Sequence, residues 1–329
     1  MATVLVTGGA GFIGANLVDR LLLSGHRVRV LDDLRRTGSE LNAEWLAAAH
    51  GSRLELLQTA VEAEDALELA LRDVDAVVHL AAQVAVTTSL ARPLADFEVN
   101  ARGTLLLLEA VRRLVPRSLF LHASTNKVYG QLVGVKAPVG EDAPLDPRTP
   151  YGISKATAEL YVHEYHRSYG LRTVVLRQSC VYGPLQHGGE DQGWVAHFVH
   201  ETLAGRPLTI FGDGEQVRDL LEVRDLVRLY ELALADAERC AGGVFNVGGG
   251  PAHARSLLQV IETIERLSGE KVLYGLADPR PADQRSFVSD CRLARAVLGW
   301  EPTVGVEEGV GRLLEWAASI SRPRSPIPR

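Results

Sequence analysis

The residues best placed to do proton chemistry are a tyrosine and a lysine four positions apart, Tyr151 and Lys155 in the run Tyr151-Gly152-Ile153-Ser154-Lys155. On a helix that spacing puts the phenol and the ammonium on one face, one turn from each other. A neighbouring positive charge favours phenolate, so the pair is expected to draw a phenol pKa of about 10 toward the working range, making Tyr151 a general base for an alcohol. A solvated helix face shows the same spacing, so the pair needs company. It comes from Ala123-Ser124-Thr125-Asn126-Lys127-Val128-Tyr129-Gly130, which places the Thr125 hydroxyl at the carboxyl end of an expected strand, where open parallel sheets bind ligands.

A second constellation lies at the start of the chain. Val4-Leu5-Val6-Thr7-Gly8-Gly9-Ala10-Gly11-Phe12-Ile13-Gly14 sets glycines between a strand and an amphipathic helix, the context that separates a dinucleotide fingerprint from a chance match. A Cβ there would block the turn and hold a pyrophosphate away from the amides at the helix start, where the helix dipole favours negative charge. The next strand ends in Leu31-Asp32-Asp33, about twenty positions on, where a carboxylate can accept hydrogen bonds from ribose hydroxyls. Asp32 would repel a 2′-phosphate, so the cofactor expected is NAD; because Arg35 and Arg36 follow closely, NADP is disfavoured rather than excluded.

The elements that must position these groups alternate. Apolar runs at Val4 to Val6, Val28 to Leu31, Leu54 to Leu57, Ala76 to Leu80, Leu119 to His122 and Thr173 to Leu176 are separated by helical stretches, which predicts parallel βαβ units. The helix that starts after Gly11 is expected to stop at Gly25. The fold class expected is α/β: a Rossmann-type doubly wound parallel sheet over 1–180, with later segments returning to it, and a smaller, interleaved substrate lobe over 181–320. From Val181 onward Gly- and Pro-containing segments separate shorter elements, among them amphipathic helices at Asp225 to Leu234 and Leu257 to Leu267. Residues 321–329 form a tail, because Arg322-Pro323-Arg324-Ser325-Pro326-Ile327-Pro328-Arg329 cannot build a regular element.

Composition narrows the partners. The chain has 329 residues, 46% of them hydrophobic and 23% charged, with no apolar run long enough to span a bilayer and no basic leader before the first strand. A cytoplasmic protein without membrane contact is expected. Cys180, Cys240 and Cys291 are too scattered for a zinc site or a redox pair, so no metal is expected. With a net charge of −6 and no Lys/Arg run, nucleic acid is not an expected partner, and any anionic ligand must be met by a few arginines gathered locally.

Taken together, the glycine turn, His79-Leu80-Ala81-Ala82, Asn100 followed by Gly103-Thr104, the Ser124-Thr125 strand ending, and Tyr151 with Lys155 resemble the extended short-chain dehydrogenase/reductase family of NAD-dependent epimerases and dehydratases over essentially the whole chain. The resemblance implies a catalytic set of Thr125, Tyr151 and Lys155. It also implies cofactor contacts from Gly8, Gly11, Phe12, Ile13, Gly14, Asp32, Asp33, Leu80, Ala81, Ala82, Gln83, Asn100, Tyr151 and Lys155. His79 is assigned a structural place. Ala60 stands where many relatives carry an aspartate against adenine.

Family dehydratases follow the threonine with Asp-Glu as acid and base; Asn126-Lys127 cannot serve so, and dehydration is rejected. Arg177 to Pro184 and Glu190 to Ala196 resemble the CDP-linked sugar 2-epimerases of the family. The activity implied is epimerisation of a nucleotide-diphosphate sugar, most naturally at C2, by transient oxidation and hydride return. A 4-epimerase of the UDP-glucose or UDP-glucuronate kind and a nucleotide-sugar dehydrogenase or reductase are the alternatives. Substrate contacts implied are Asn126, Lys127, Ser179, Gln192, Trp194, Arg218, Arg280 and Asp283, with Arg218 and Arg280 at positions that grip the diphosphate. Trp194 reads equally as a pocket wall or as a core residue. A homodimer is implied through the helices around Ala101 to Leu114 and Tyr151 to Tyr169.

Overall fold

Thr3–Thr7 (β1) is apolar on both faces: Val4 and Val6 enter one core and Leu5 another. A strand so built must be covered on two sides. The computed structural model describes residues 1–132, 138–280 and 283–321; the tail residues 322–329 lie outside them, as do Pro281 and Ala282. Its main sheet continues with Arg27–Asp32 (β2), Leu54–Gln58 (β3), Ala76–His79 (β4), Leu119–Thr125 (β5) and Arg172–Gln178 (β6). Four more strands bring the chain to Val244–Val247: Cys180–Tyr182 (β7), Leu208–Phe211 (β8), Val217–Glu222 (β9) and Val244–Val247 itself (β10). Strand order is β10-β6-β5-β4-β1-β2-β3, all parallel. The order reverses between β1 and β4, and a crevice opens at their carboxyl ends.

Helices cover both faces. Phe12–Leu23 (α1), Ser39–His50 (α2), Glu64–Ala70 (α3), Val86–Ala91 (α4), Pro93–Phe97 (α5), Gly103–Leu114 (α6) and Pro150–Tyr169 (α7) follow in chain order. The α1 helix ends at Leu23, and Gly25 takes the left-handed turn after it at φ +85°. Between α5 and α6 the chain makes one π-helical turn, Glu98–Arg102, which rolls Asn100 inward to 1% exposure. Proline at the first position and Thr149 as cap, its Oγ1 accepting from Gly152 N at 3.2 Å, fix the start of α7 one residue before Tyr151. Among the described residues no helix is long and apolar enough to cross a membrane.

The later segments do not form a separate body. Strand β10 pairs with β6, and helix Val223–Ala235 shares a core with α1. A small sheet is built on β9, flanked by β7, Ala254–Ser256 (β11) and, beyond Tyr274–Ala277 (β12), Ser286–Phe287 (β13). Helices Trp194–Leu203, Leu257–Ser268 and Val306–Ser321 pack over it. Trp300 seals the return, fully buried, its indole N–H donating to Asp225 O at 2.8 Å. W300A removes a large buried ring and leaves that carbonyl without its donor; a loss of about 3–5 kcal/mol in urea unfolding is expected, and a loss under about 1 kcal/mol would show that the site collapses freely.

Candidate active site

The glycine turn closes because nothing larger than hydrogen fits. A Cβ on Gly14 would stand 2.2 Å from Gly8 O, and one on Gly8, which sits at φ +69°, would stand 2.7 Å from Ala81 N. Asp32 locks this turn to the tip of β2, its carboxylate accepting from Ala10 N at 3.0 Å and Leu34 N at 2.9 Å. Burial raises the Asp32 pKa against those amides. Around the turn lies a cleft of about 280 Å³ lined by Gly8, Gly11, Phe12, Ile13, Gly14, Asp32, Asp33, Leu80, Ala81 and Ala82, with Tyr151 and Lys155 at its far end. Ala60 lines it between Thr59 and Val61. The bare amides at the start of α1, facing a cleft whose other end holds the phenol, fit a dinucleotide.

Gln83 and Asn100 take a different place from the cofactor wall expected of them. Asn100 Oδ1 accepts from Gln83 N at 2.8 Å and its Nδ2 donates to Gln83 O at 2.9 Å; they brace the loop after β4 from behind. His79 completes the brace. Thr104 Oγ1 donates to Asn100 O at 2.6 Å, so it accepts from His79 Nε2 at 2.9 Å, and His79 Nδ1 accepts from Thr7 Oγ1 at 2.7 Å. Burial, helped by the charge of Lys155, depresses the His79 pKa to about 3, so the ring is a neutral link.

At the junction stand Thr125, Tyr151 and Lys155. Thr125 ends β5 and caps the short turn Asn126–Tyr129, its Oγ1 accepting from Lys127 N at 3.3 Å. Tyr151 and Lys155 are 9% and 3% exposed. Lys155 makes no ion pair among the described residues, and burial lowers its pKa to about 8, against the fields of Glu159 and Asp96. The phenol departs from the sequence expectation. Burial pushes the Tyr151 pKa up to about 12, and the Asp96 charge adds to the rise, while the Thr125 hydroxyl and the Arg36 guanidinium pull the other way. Desolvation therefore outweighs the hydroxyl and the guanidinium together.

A second cavity of about 310 Å³ meets the first at this point, and Val84, Thr125, Tyr151, Ser179, Val181, Gln186 and Gln192 line both. Asn126, Lys127, Trp194, Arg218, Arg280 and Asp283 line the second. Asp283 holds Arg218 at 2.8 Å and Lys127 at 3.5 Å, so its carboxylate orients cations. Burial and the Arg218 charge bring the Lys127 pKa down to about 8. Arg280 lies over the Phe211 ring at 4.1 Å, donates to Glu190 O at 3.0 Å, and keeps a buried Nε without a partner among the described residues. Trp194 is half-buried: a pocket wall whose indole donates to Cys180 Sγ at 3.1 Å and meets Phe198 edge-on. Ser179 Oγ donates to Asp219 Oδ1 at 2.5 Å.

Among the lining groups that escape the sequence reading are Arg36, which donates to Gln192 Oε1, and Gln186, which lines both cavities. Arg36 was weighed only for cofactor phosphate; its reach depends on a loop 156 residues away in sequence.

A switch-point crevice with a glycine turn at one end, a Tyr-Lys pair at the other and a cation-lined second cavity defines a nicotinamide-dependent enzyme of the short-chain dehydrogenase/reductase type. The family described as GDP-mannose 4,6 dehydratase matches residues 5–313, and the chain belongs to it, within the NAD-dependent epimerases and dehydratases of nucleotide sugars. The CDP-paratose 2-epimerase of Salmonella typhi is 37% identical over 96% of this chain and 99% of the relative. The UDP-glucose 4-epimerase of Mycolicibacterium smegmatis is 38% identical over 97% and 99%. The crystal structure of the UDP-glucuronic acid 4-epimerase of Bacillus cereus, in complex with UDP-glucuronic acid and NAD, superposes with a TM-score of 0.88 at 31% identity over 97% of this chain and 99% of that one.

G8A tests the turn directly. It forces a side chain into a left-handed backbone and against Ala81, so NAD affinity measured by calorimetry is expected to fall about tenfold or more; unchanged affinity would remove this turn from the cofactor site.

Proposed function

We propose that the protein epimerises a nucleotide-diphosphate sugar by transient oxidation to a keto-sugar and return of the hydride, most naturally at C2 of a CDP-linked sugar. The observation that carries this reading is the shared wall: Tyr151 and Thr125 line both cavities at once, so one phenol faces both the nicotinamide end and the sugar end. The chemistry NAD supplies when bound is reversible hydride transfer with the sugar carbon. Gly8, Gly11, Phe12, Ile13 and Gly14 would hold its pyrophosphate, Asp32 its ribose, and Lys155 the end near Tyr151.

Tyr151 takes the sugar hydroxyl proton and gives it back when the centre has inverted. The Lys155 ammonium and the amino end of α7 both favour the phenolate this requires, against burial. Thr125 orients the hydroxyl. Arg218 and Arg280, steered by Asp283, Glu190 O and the Phe211 ring, present guanidinium forks to the diphosphate. Asn126 and Lys127 offer no carboxyl pair to expel water, which speaks against dehydration. The 38% identity to a UDP-glucose 4-epimerase favours a second reading, inversion at C4 by the same groups.

Incubated with CDP-, UDP-, GDP- and dTDP-sugars, the protein as purified should convert one of them without added cofactor and without a lasting nicotinamide absorbance. NMR of the product identifies the inverted carbon; stoichiometric NADH release would make the protein a dehydrogenase instead. Y151F should retain NAD and lose turnover by about a thousandfold or more; full turnover in Y151F would end this mechanism.

The protein is further proposed to act as a homodimer. Of the two helices expected to pair, α6 and α7, α7 exposes Leu160 at 61% with Ile153 and Tyr161, and the neighbouring α4 and α5 add Leu94 at 81%, Leu90 and Phe97, more than scattered single residues need. L160E should convert a dimer to a monomer in analytical ultracentrifugation; a monomeric parent, or a dimer that survives the substitution, would place the interface elsewhere.

A further inference from the structure

Behind the Tyr151–Lys155 turn lies a carboxylate that the mechanism above does not use. Asp96, in α5, is 1% exposed. Its Oδ2 accepts from Ser154 Oγ at 2.5 Å, and its Oδ1 accepts from Gln83 Nε2 at 2.7 Å and Asn100 Nδ2 at 3.3 Å. No cation pairs with it among the described residues. A buried carboxylate that is hydrogen-bonded but unpaired is costly to keep, and a neutral amide could take its place: its oxygen would accept from Gln83 and Asn100, and its N–H would donate to Ser154 Oγ, which turns its own hydrogen to Tyr151 O. The charge itself therefore calls for a use.

The location supplies one. Ser154 sits between Tyr151 and Lys155, and its hydroxyl also lies 3.1 Å from Tyr151 O. Asn100 Nδ2 donates to Ser154 Oγ at 3.1 Å, so α5, the π-helical turn, the loop after β4 and α7 converge on this one group. We infer that Asp96 is a positioning residue for the reaction: through Ser154 it fixes the turn that carries Tyr151 and Lys155, and its negative charge is, with that of Glu159, a buried counter-charge that holds Lys155 as an ammonium. The inference rests on the roles proposed for Tyr151 and Lys155.

The groups facing the Tyr151–Lys155 pair come from every side. Glu159 lies on α7 one turn beyond Lys155, itself paired to Arg177 at 2.5 Å; His79 and His122 lie on β4 and β5, both kept neutral by burial; Arg36 reaches in from the loop after β2; Thr125 closes β5. The Glu159 charge is shared with Arg177, whereas that of Asp96 is shared with no cation. Asp96 acts on both members of the pair in one direction, raising the pKa of Lys155 and of Tyr151. Removing its charge must therefore lower both.

Lys127, Lys136, Lys155 and Lys271 are the only lysines in the sequence, so Lys155 can be followed alone by NMR of protein labelled with ¹³C at the lysine Cε, with K155R identifying its signal. In the protein as purified, D96N should shift the Lys155 titration midpoint down by about one pH unit from the wild-type value, with the melting temperature nearly kept because Asn still meets Ser154, Gln83 and Asn100. A Lys155 midpoint within about 0.2 units of wild type in folded D96N would overturn the inference, as would an upward shift. S154A, which cuts the tether but leaves the charge, should lower kcat more than it moves the midpoint; a midpoint shift as large as that of D96N would overturn the electrostatic role. Y151F separates the two proposals. Retained turnover there sinks the catalytic reading, whereas the Lys155 titration reports on Asp96 alone.

Discussion

Everything in this structure hangs on two backbones touching at the point where the strand order reverses. The turn after β1 and the loop after β4 approach so closely that a methyl group on Gly8 would overlap Ala81 N. Only that approach brings the amides at the start of α1 to the same crevice as the carboxyl end of β5, and with it Thr125 and the amino end of α7. The constraint is steric before it is chemical. A bulkier turn would part the strands' carboxyl ends, and the phenol would lose the wall it shares with both cavities.

Polar groups then hold the approach in register without any charge of their own. Thr7, His79, Thr104 and Asn100 form one directed chain of hydrogen bonds from β1 through β4 to α6, and the order of donors fixes the histidine tautomer. A protonated His79 would donate from both ring nitrogens and turn the Thr7 hydroxyl away; burial makes that charge costly, so the ring stays neutral. Charge is reserved for the far side of the crevice. There Glu159 and Asp96 act on Lys155, Asp96 and Arg36 act on Tyr151, and burial, the largest influence on both, sets them away from their ordinary values.

The sequence made the turn, the acidic strand tip and the Tyr151–Lys155 spacing legible because each is a local pattern whose chemistry is complete within a few residues. The alternation of strands and helices marked β1 to β6 of the main sheet but not β10, and β5 ends at Thr125, the strand end expected, where its last residues pair with Arg177 and Gln178. The small sheet was not legible: β7, β11 and β13 are two or three residues long, and their partner β9 lies far off in the chain. Asp96 was invisible for a similar reason, since its meaning comes from Gln83, Asn100 and Ser154 converging on it. The phenol was misjudged because spacing reports a neighbouring charge and says nothing of the water removed from around the ring. Gln83 and Asn100 come together as expected, from the loop after β4 and from the π-helical turn, but they bond to each other rather than line the cleft.

The return of β10 and of helix Val223–Ala235 to the main body carries a consequence for how such a protein can change. Neither half of the chain is a cassette: cut near residue 180, the first part would expose the open flank of β6 and the apolar face of α1, and in the second β10 would have no main sheet to join. Recombination that exchanges whole lobes is thus closed to this architecture. New preferences must be acquired by replacing single side chains along the borrowed segments, each of which is also answerable to the shared core.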